Sequence, residues 1–278
     1  MSKIGFIGSG NMAEAIIKGI IDAHIYNPED IIISDVRKDR LNALADKYNI
    51  SYLTNVKLAK VADILVLSVK PQNMLEVLNE IKNDVMPETL IVSIAAGITT
   101  AAIGKALELK PIIRVMPNTP ALIGQGTAVL YATREAHQRL GEVERIFSAV
   151  GFVAAVEDEK LLDAVTAVSG SGPAYFFLLM EEIIKTAEKL GLDKELAERI
   201  VLQTAKGAAM LAIERAKAGE KPSVLRQKVT SPKGTTEAAI RIFEKYNFGK
   251  MVNDALQAAA DRSRELSGSQ TAVSEPRQ

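Results

Sequence analysis

The chain of 278 residues contains no cysteine, which excludes a disulfide framework, a thiolate metal site and a cysteine nucleophile. It has only two histidines, His24 and His137, and neither has an obvious partner. No HxxH or paired-carboxylate spacing points to a metal, and no GxSxG elbow points to an activated serine. Charge of one sign is lacking as well, because 34 Lys plus Arg balance 34 Asp plus Glu. No global field therefore favours nucleic acid or an anionic membrane. No signal-peptide pattern precedes the first apolar run, and no uninterrupted apolar stretch is long enough to span a bilayer. The expectation is a soluble, cytoplasmic protein with no metal and no nucleic-acid or membrane partner. Hydride transfer needs none of the missing devices, since there the cofactor carries the chemistry and the protein supplies orientation and electrostatics.

What the chain does have is 47% apolar residues, enough for full cores, and the length of two ordinary domains. Over residues 1–160, strand-like and helix-like segments alternate, which predicts a Rossmann-like parallel sheet with crossover helices. After an opening apolar strand, strands are expected at 30–35, 63–69, 90–95, 112–116, 126–131 and 151–156. Helices are expected at 13–23, 38–48, 100–107 and 135–150. The fold class is α/β, with an all-α second domain over 161–266. There the helical segments are 161–168, 174–190, 196–218, 236–246 and 249–265, with a kink or break at Ser169-Gly-Ser-Gly-Pro173. These helices are too apolar for a small free-standing bundle, so they are expected to pack against a second subunit. Residues 267–278 read as a disordered tail.

Chemistry concentrates first in Ile7-Gly8-Ser9-Gly10-Asn11-Met12-Ala13, where an apolar strand runs into a GxGxxA turn and a helix. In that context the glycines bind a dinucleotide. Gly8 permits the tight turn, Gly10 lets the backbone approach a pyrophosphate, and the new helix turns its free N–H groups and positive dipole end towards it. Asp35 ends the second strand, where an acid takes an adenosine ribose and favours NAD. Arg37, Lys38 and Arg40 follow at once, and any of them suits the 2′-phosphate of NADP. Residues just past later strands line the same crevice: Ser68-Val69-Lys70-Pro71-Gln72, Ala95-Ala96-Gly97, and Asn118 with Thr119 between two prolines. In the helical half, Ser169-Gly-Ser-Gly-Pro-Ala-Tyr175 and Val229-Thr-Ser-Pro-Lys-Gly-Thr-Thr-Glu237 are glycine–hydroxyl loops feeding helices. Thr235 or Thr236 suits a cap there, and the same N–H groups suit a small anion. Together the two loops suggest a site for a small carboxylate between the domains.

Six separated motifs carry a resemblance: Phe6-Ile-Gly-x-Gly-Asn-Met12, Val69-Lys-Pro-Gln72, Ser93-Ile-Ala-Ala-Gly97, Arg114-Val-Met-Pro-Asn-Thr-Pro120, Ser169-Gly-Ser-Gly-Pro-Ala-Tyr175 and the Thr230-to-Thr236 loop. In this order they resemble the pyrroline-5-carboxylate reductases, from Ile4 to about Leu266. The resemblance implies reduction of the C=N bond of 1-pyrroline-5-carboxylate by NADPH or NADH to L-proline, the last step of proline biosynthesis. It also implies homodimers with interleaved C-terminal helices, in some members assembled into decamers. By the same similarity Gly8, Gly10, Asn11 and Met12 hold the pyrophosphate. Ser34, Asp35 and Arg37 lie at the adenosine ribose, with Asn55 at the adenine side. Val69, Lys70, Pro71, Ala95 and Asn118 lie along the nicotinamide half. Ser231, Gly234, Thr235 and Thr236 form the substrate loop, with Thr236 as the catalytic contact to the ring nitrogen.

One departure is Lys233, where the family has glycine. If that position requires a positive φ, lysine brings strain; otherwise its charge assists carboxylate binding or faces solvent. Two alternatives compete with the reductase reading. The first is a hydroxyacid dehydrogenase of the 6-phosphogluconate type, which uses a lysine on the interdomain helix where this chain has Pro173-Ala174-Tyr175. The second is a non-catalytic dinucleotide-binding paralogue, suggested only by Lys233.

Overall fold

The computed structural model describes residues 2–108 and 111–272. Eight strands form one sheet: β1 (Ile4–Ile7), β2 (Ile31–Ser34), β3 (Ser51–Tyr52), β4 (Ile64–Leu67), β5 (Leu90–Ser93), β6 (Ile112–Pro117), β7 (Gly126–Ala132) and β8 (Gly151–Ala155). Their order is β3-β2-β1-β4-β5-β6-β7-β8. Strands β1, β2, β4 and β5 are buried along their whole lengths, as continuous Ile/Leu/Val runs should be when helices cover both faces. The register puts Ile4 beside both Ile31 and Ile64, and Ile7 beside Ser34 and Leu67. The strand order reverses between β1 and β4, so the crevice outside their carboxyl ends is the place where ligands bind in such sheets.

The crossover helices are α1 (Asn11–Asp22), α2 (Lys38–Tyr48), α3 (Asn55–Ala59), α4 (Met74–Ile81), α5 (Thr100–Leu107) and α6 (Leu140–Ser148). Helices α2 and α5 match the sequence expectation residue for residue. The parallel expectation fails at one place, since β7 runs antiparallel to β6. The short Asn118–Gln125 connection explains this, because a parallel partner needs a crossover of about a dozen residues or more. The sheet is therefore mainly parallel and Rossmann-like.

Beyond β8 the chain is helical: α7 (Leu161–Val165), α8 (Gly172–Lys189), α9 (Lys194–Ala216), α10 (Pro222–Lys228), α11 (Thr235–Lys245) and α12 (Phe248–Ala272). Between α7 and α8 lies one π turn, Thr166–Gly170, where the Ser171 N–H donates to the Thr166 carbonyl at 2.8 Å. The helix thus widens for a turn and is interrupted at the bend of Ser171 before α8 begins, at the kink or break expected there. Two compact units result: the first takes the chain through Pro173 and again from Ala258, the second is Ala174–Gln257. Within the first unit, Ser263 is buried and its hydroxyl donates to Asp163 at 2.6 Å. A Cβ on Gly97 would lie 2.9 Å from the Leu266 Cβ, so α12 seals the loop after β5. Helix α12 continues past Ser267, where the sequence suggested a tail. The Ser267 hydroxyl donates back to the Ser263 carbonyl at 3.1 Å, a bond that follows the helix. The rest of that expected tail, 273–278, lies outside the described residues.

Within the second unit, Phe176, Phe177, Leu178, Met210 and Ile213 are exposed by about half or more. An apolar surface of that kind marks an interaction face.

Candidate functional site

The glycine turn is built as its residues require. Gly8 has φ of 92°, and a Cβ there would stand 2.7 Å from the Ser68 carbonyl oxygen. The Gly8 N–H donates to the Ser34 carbonyl at 2.8 Å, and the Ser68 hydroxyl donates to the Gly8 carbonyl at 2.6 Å. The turn is thereby fastened to both neighbouring strands. Gly10 is the N-cap of α1, and among the described residues nothing lies within 4 Å of where its Cβ would be. Its open side, and the first-turn N–H groups of Asn11 and Met12 that have no intrahelical partners, form a cradle suited to a pyrophosphate. The residues present therefore fit a bound NAD(P)H.

Further expected cofactor residues cluster at the same strand ends. Ser34 closes β2, and its hydroxyl donates to the Asn55 Oδ1 at 2.7 Å, while the Asn55 amide donates to Glu80 at 2.6 Å. Asp35 accepts from the Ser9 N–H and hydroxyl, both at 2.8 Å, and from the Arg37 backbone and guanidinium at 2.9–3.1 Å. Burial alone would raise the Asp35 pKa, but these bonds hold it well below the usual carboxylate range. Val69, Lys70 and Pro71 follow β4 and Ala95 follows β5. Asn118 follows β6, and its amide is committed to the fold: Nδ2 donates to the Ser169 carbonyl and hydroxyl at 3.2 Å, and Oδ1 accepts from the Thr127 N–H at 2.8 Å.

Two supporting groups have no local sequence signal. Glu14, in the first turn of α1, accepts from Arg40 at 2.5 Å, Lys47 at 2.8 Å and Tyr48 at 3.0 Å. Its pKa falls from 4.5 to about 2, chiefly through the Lys47 bond, with burial opposing and Arg40 and Tyr48 assisting. Arg40 also donates to the Ser9 carbonyl at 2.9 Å, so α2 braces the glycine turn. Glu80 is the second such group, and only folding brings it to Asn55.

The Ser231–Thr236 segment lies in the second unit and runs into α11, whose first two residues are Thr235 and Thr236. A Cβ on Gly234 would fall 2.4 Å from the Ser231 Oγ and 3.0 Å from the Ser231 carbonyl oxygen, so a larger residue there would have to turn the serine hydroxyl aside. Gly234 is itself the N-cap, with no side-chain cap. Neither the Thr235 nor the Thr236 hydroxyl has a hydrogen bond among the described residues, and the capping role considered for them is not adopted. Lys233 has φ of 61°, and its N–H donates to Glu237 at 2.7 Å. The position does require a positive φ, and lysine is strained there.

A glycine turn between β1 and α1 at the switch point of a mainly parallel sheet defines a dinucleotide-binding oxidoreductase fold. Consistent with that class, residues 3–97 match the model of the coenzyme F420-dependent NADP oxidoreductases, and residues 159–266 match that for pyrroline-5-carboxylate reductase dimerisation. A pyrroline-5-carboxylate reductase of Pseudomonas aeruginosa is 45% identical, over 95% of this chain and 96% of that one. The solved reductase of Coxiella burnetii is 40% identical with a TM-score of 0.88, covering 96% of this chain and 98% of that one. That of Plasmodium falciparum, with NADP bound, is 32% identical with a TM-score of 0.85 over the same shares. The chain belongs to the pyrroline-5-carboxylate reductase family.

Proposed function

We propose that this chain is an oxidoreductase that reduces 1-pyrroline-5-carboxylate to L-proline with NADPH or NADH, completing proline biosynthesis. The carrying observation is the Ser231–Thr236 loop of this family member, in which Gly234 packs close to the Ser231 hydroxyl and neither the Thr235 nor the Thr236 hydroxyl is bonded among the described residues. Gly8, Gly10, Asn11 and Met12 take the pyrophosphate, Ser34, Asp35 and Arg37 the ribose, and Asn55 the adenine side. Val69, Lys70, Pro71, Ala95 and Asn118 border the nicotinamide half. Ser231, Gly234 and Thr235 hold the substrate carboxylate on N–H and hydroxyl donors, and the Thr236 hydroxyl orients the ring nitrogen. When bound, the nicotinamide supplies a hydride to the imine carbon, and the ring nitrogen keeps its proton to become the amine of proline. A protonated imine is already electrophilic, so holding it in place supplies much of the rate, up to about 7–11 kcal/mol.

The exposed apolar residues of the second unit support homodimers formed through the helical region, and decamers are dimers further assembled. No described helix is long and apolar enough to cross a membrane; a cytoplasmic location is part of the same reading. The test is pyrroline-5-carboxylate-dependent loss of reduced-nicotinamide absorbance with purified protein, run with NADPH and with NADH. Oxidation of neither, by protein that binds the cofactor, would leave the non-catalytic reading in its place.

A further inference from the structure

A proline-led turn opens the Ser231–Thr236 segment. The Gly234 N–H donates to the Ser231 carbonyl at 3.0 Å, and Lys233 has φ of 61°. With Pro232 in second place and a positive φ in third, Ser231–Gly234 has the pattern of a type II turn, whose third residue is ordinarily glycine. Lysine holds that place here. Among the described residues, His24, Asn49, Glu108 and Asn247 are the other non-glycine positions with positive φ. Each lies at or just past the carboxyl end of a helix, where left-handed backbone is the customary stop. Lys233 belongs instead to the turn ahead of α11, so helix termination does not account for it. A strained residue retained in a ligand loop points to a use for its side chain.

The charges around the turn show what that use is. Between Thr230 and Arg241 the charged residues are Lys233, Glu237 and Arg241. Glu237, in the first turn of α11, accepts the Lys233 backbone N–H at 2.7 Å and the Arg241 Nη2 at 3.2 Å. Its carboxylate therefore lies at the same helix start as the donors assigned to the substrate carboxylate, and like charges there repel. The Glu237–Arg241 pair sums to zero. The Lys233 side chain is exposed and has no ion pair among the described residues, so its ammonium gives the segment one net positive charge. Glycine in its place would leave the segment neutral.

We propose that Lys233 sets the substrate affinity of this chain: its ammonium draws the carboxylate of the cyclic imino acid to the Ser231–Thr236 segment and offsets Glu237. The strain of the turn persists because the charge is needed there. The proposal rests on the reading of that segment as the substrate site. Attraction of this kind acts alike on bound substrate and transition state, so it shows in KM rather than in kcat.

Steady-state kinetics of the full chain with 1-pyrroline-5-carboxylate test this at low ionic strength and again in about 0.5 M salt, where exposed charges are screened. Lys233→Gln removes the charge and raises the KM for the imino acid about fivefold at low salt. The kcat and the KM for the cofactor hardly move, and added salt brings the two proteins together. Lys233→Arg keeps the wild-type KM. Lys233→Gly raises KM as Gln does although it relieves the turn; a purely structural lysine would not pair weaker binding with a higher thermal midpoint. Equal KM in wild type and Lys233→Gln at low salt, or a rise that salt leaves untouched, overturns the proposal while the reductase reading stands. Absence of turnover in the wild type and all three variants overturns both.

Discussion

Arg114 on β6 and Glu159 ahead of α7 are joined at 3.0 Å, with the arginine side chain only 2% exposed. Glu159 also accepts from the Thr100 N–H at 2.8 Å and the Thr100 hydroxyl at 2.7 Å. The Arg114 Nε and Nη2 are buried without a partner among the described residues, and Glu159 is the acid that faces this guanidinium. Glu159→Gln should therefore cost about 3 kcal/mol, and adding Arg114→Met should recover part of it. Urea unfolding of the two variants measures this. A cost for Glu159→Gln within the range of ordinary surface changes would mean that the buried arginine does not need its acid.

Gly8 and Gly10 should respond differently to alanine. At Gly8 the φ of 92° and the Ser68 carbonyl both oppose a Cβ, and Gly8→Ala should lose about 2 kcal/mol of stability or more. At Gly10 the space is open. Gly10→Ala should unfold with the wild type and yet bind NADPH more weakly, as fluorescence titration can report. Equal losses of stability in the two variants would contradict the assignment.

Lys233 holds a left-handed conformation. Lys233→Gly should raise stability by about 1 kcal/mol, the relief of strain exceeding the extra entropy of the unfolded chain. The Glu237 contact survives, because it is made by the backbone N–H. The thermal midpoint decides the matter, and a fall would show that the lysine side chain contributes more than its backbone costs.

Thr236→Ala tests the step itself. Turnover should fall far more than NADPH affinity, and stability should hardly change, because Gly234 rather than a threonine is the N-cap. Unchanged turnover would remove Thr236 from the mechanism.

Glu14 gives a pH signature. Its folded pKa lies near 2 against an ordinary 4.5, so its contribution is fully present above about 4.5 and disappears as pH falls towards 2. Glu14→Gln should flatten the pH dependence of the urea midpoint across that window. An unaltered slope would show that other carboxylates carry it.

Long apolar runs and capped helices were legible in the sequence, as the matches over 38–48 and 100–107 show. Short elements were not. Ser51–Tyr52 and Asn55–Ala59 hold too few residues for a period to emerge, and Pro222–Lys228 is exposed over nearly its whole length and carries little apolar pattern. The glycine turn announces itself, since its spacing between an apolar strand and a helix is a recognisable pattern. The Ser9–Asp35 clasp does not: serine between two glycines is locally unremarkable, and its partner lies 26 positions away. Glu159 is hidden for the same reason, since its partners Thr100 and Arg114 come from separate elements.

The return of α12 has a consequence for the order of synthesis. Asp163 and Ser263 are 100 positions apart, yet both belong to the unit that begins with the first strand. A ribosome delivers every strand of the sheet long before it delivers the helix that closes over Gly97. The nucleotide-binding half of the molecule therefore reaches its finished state only after the helical region has been made. Closing so long a loop adds little to the thermodynamic cost but slows the final step. Loss of the segment from Ala258 onwards would act first on the sheet domain, far away in sequence.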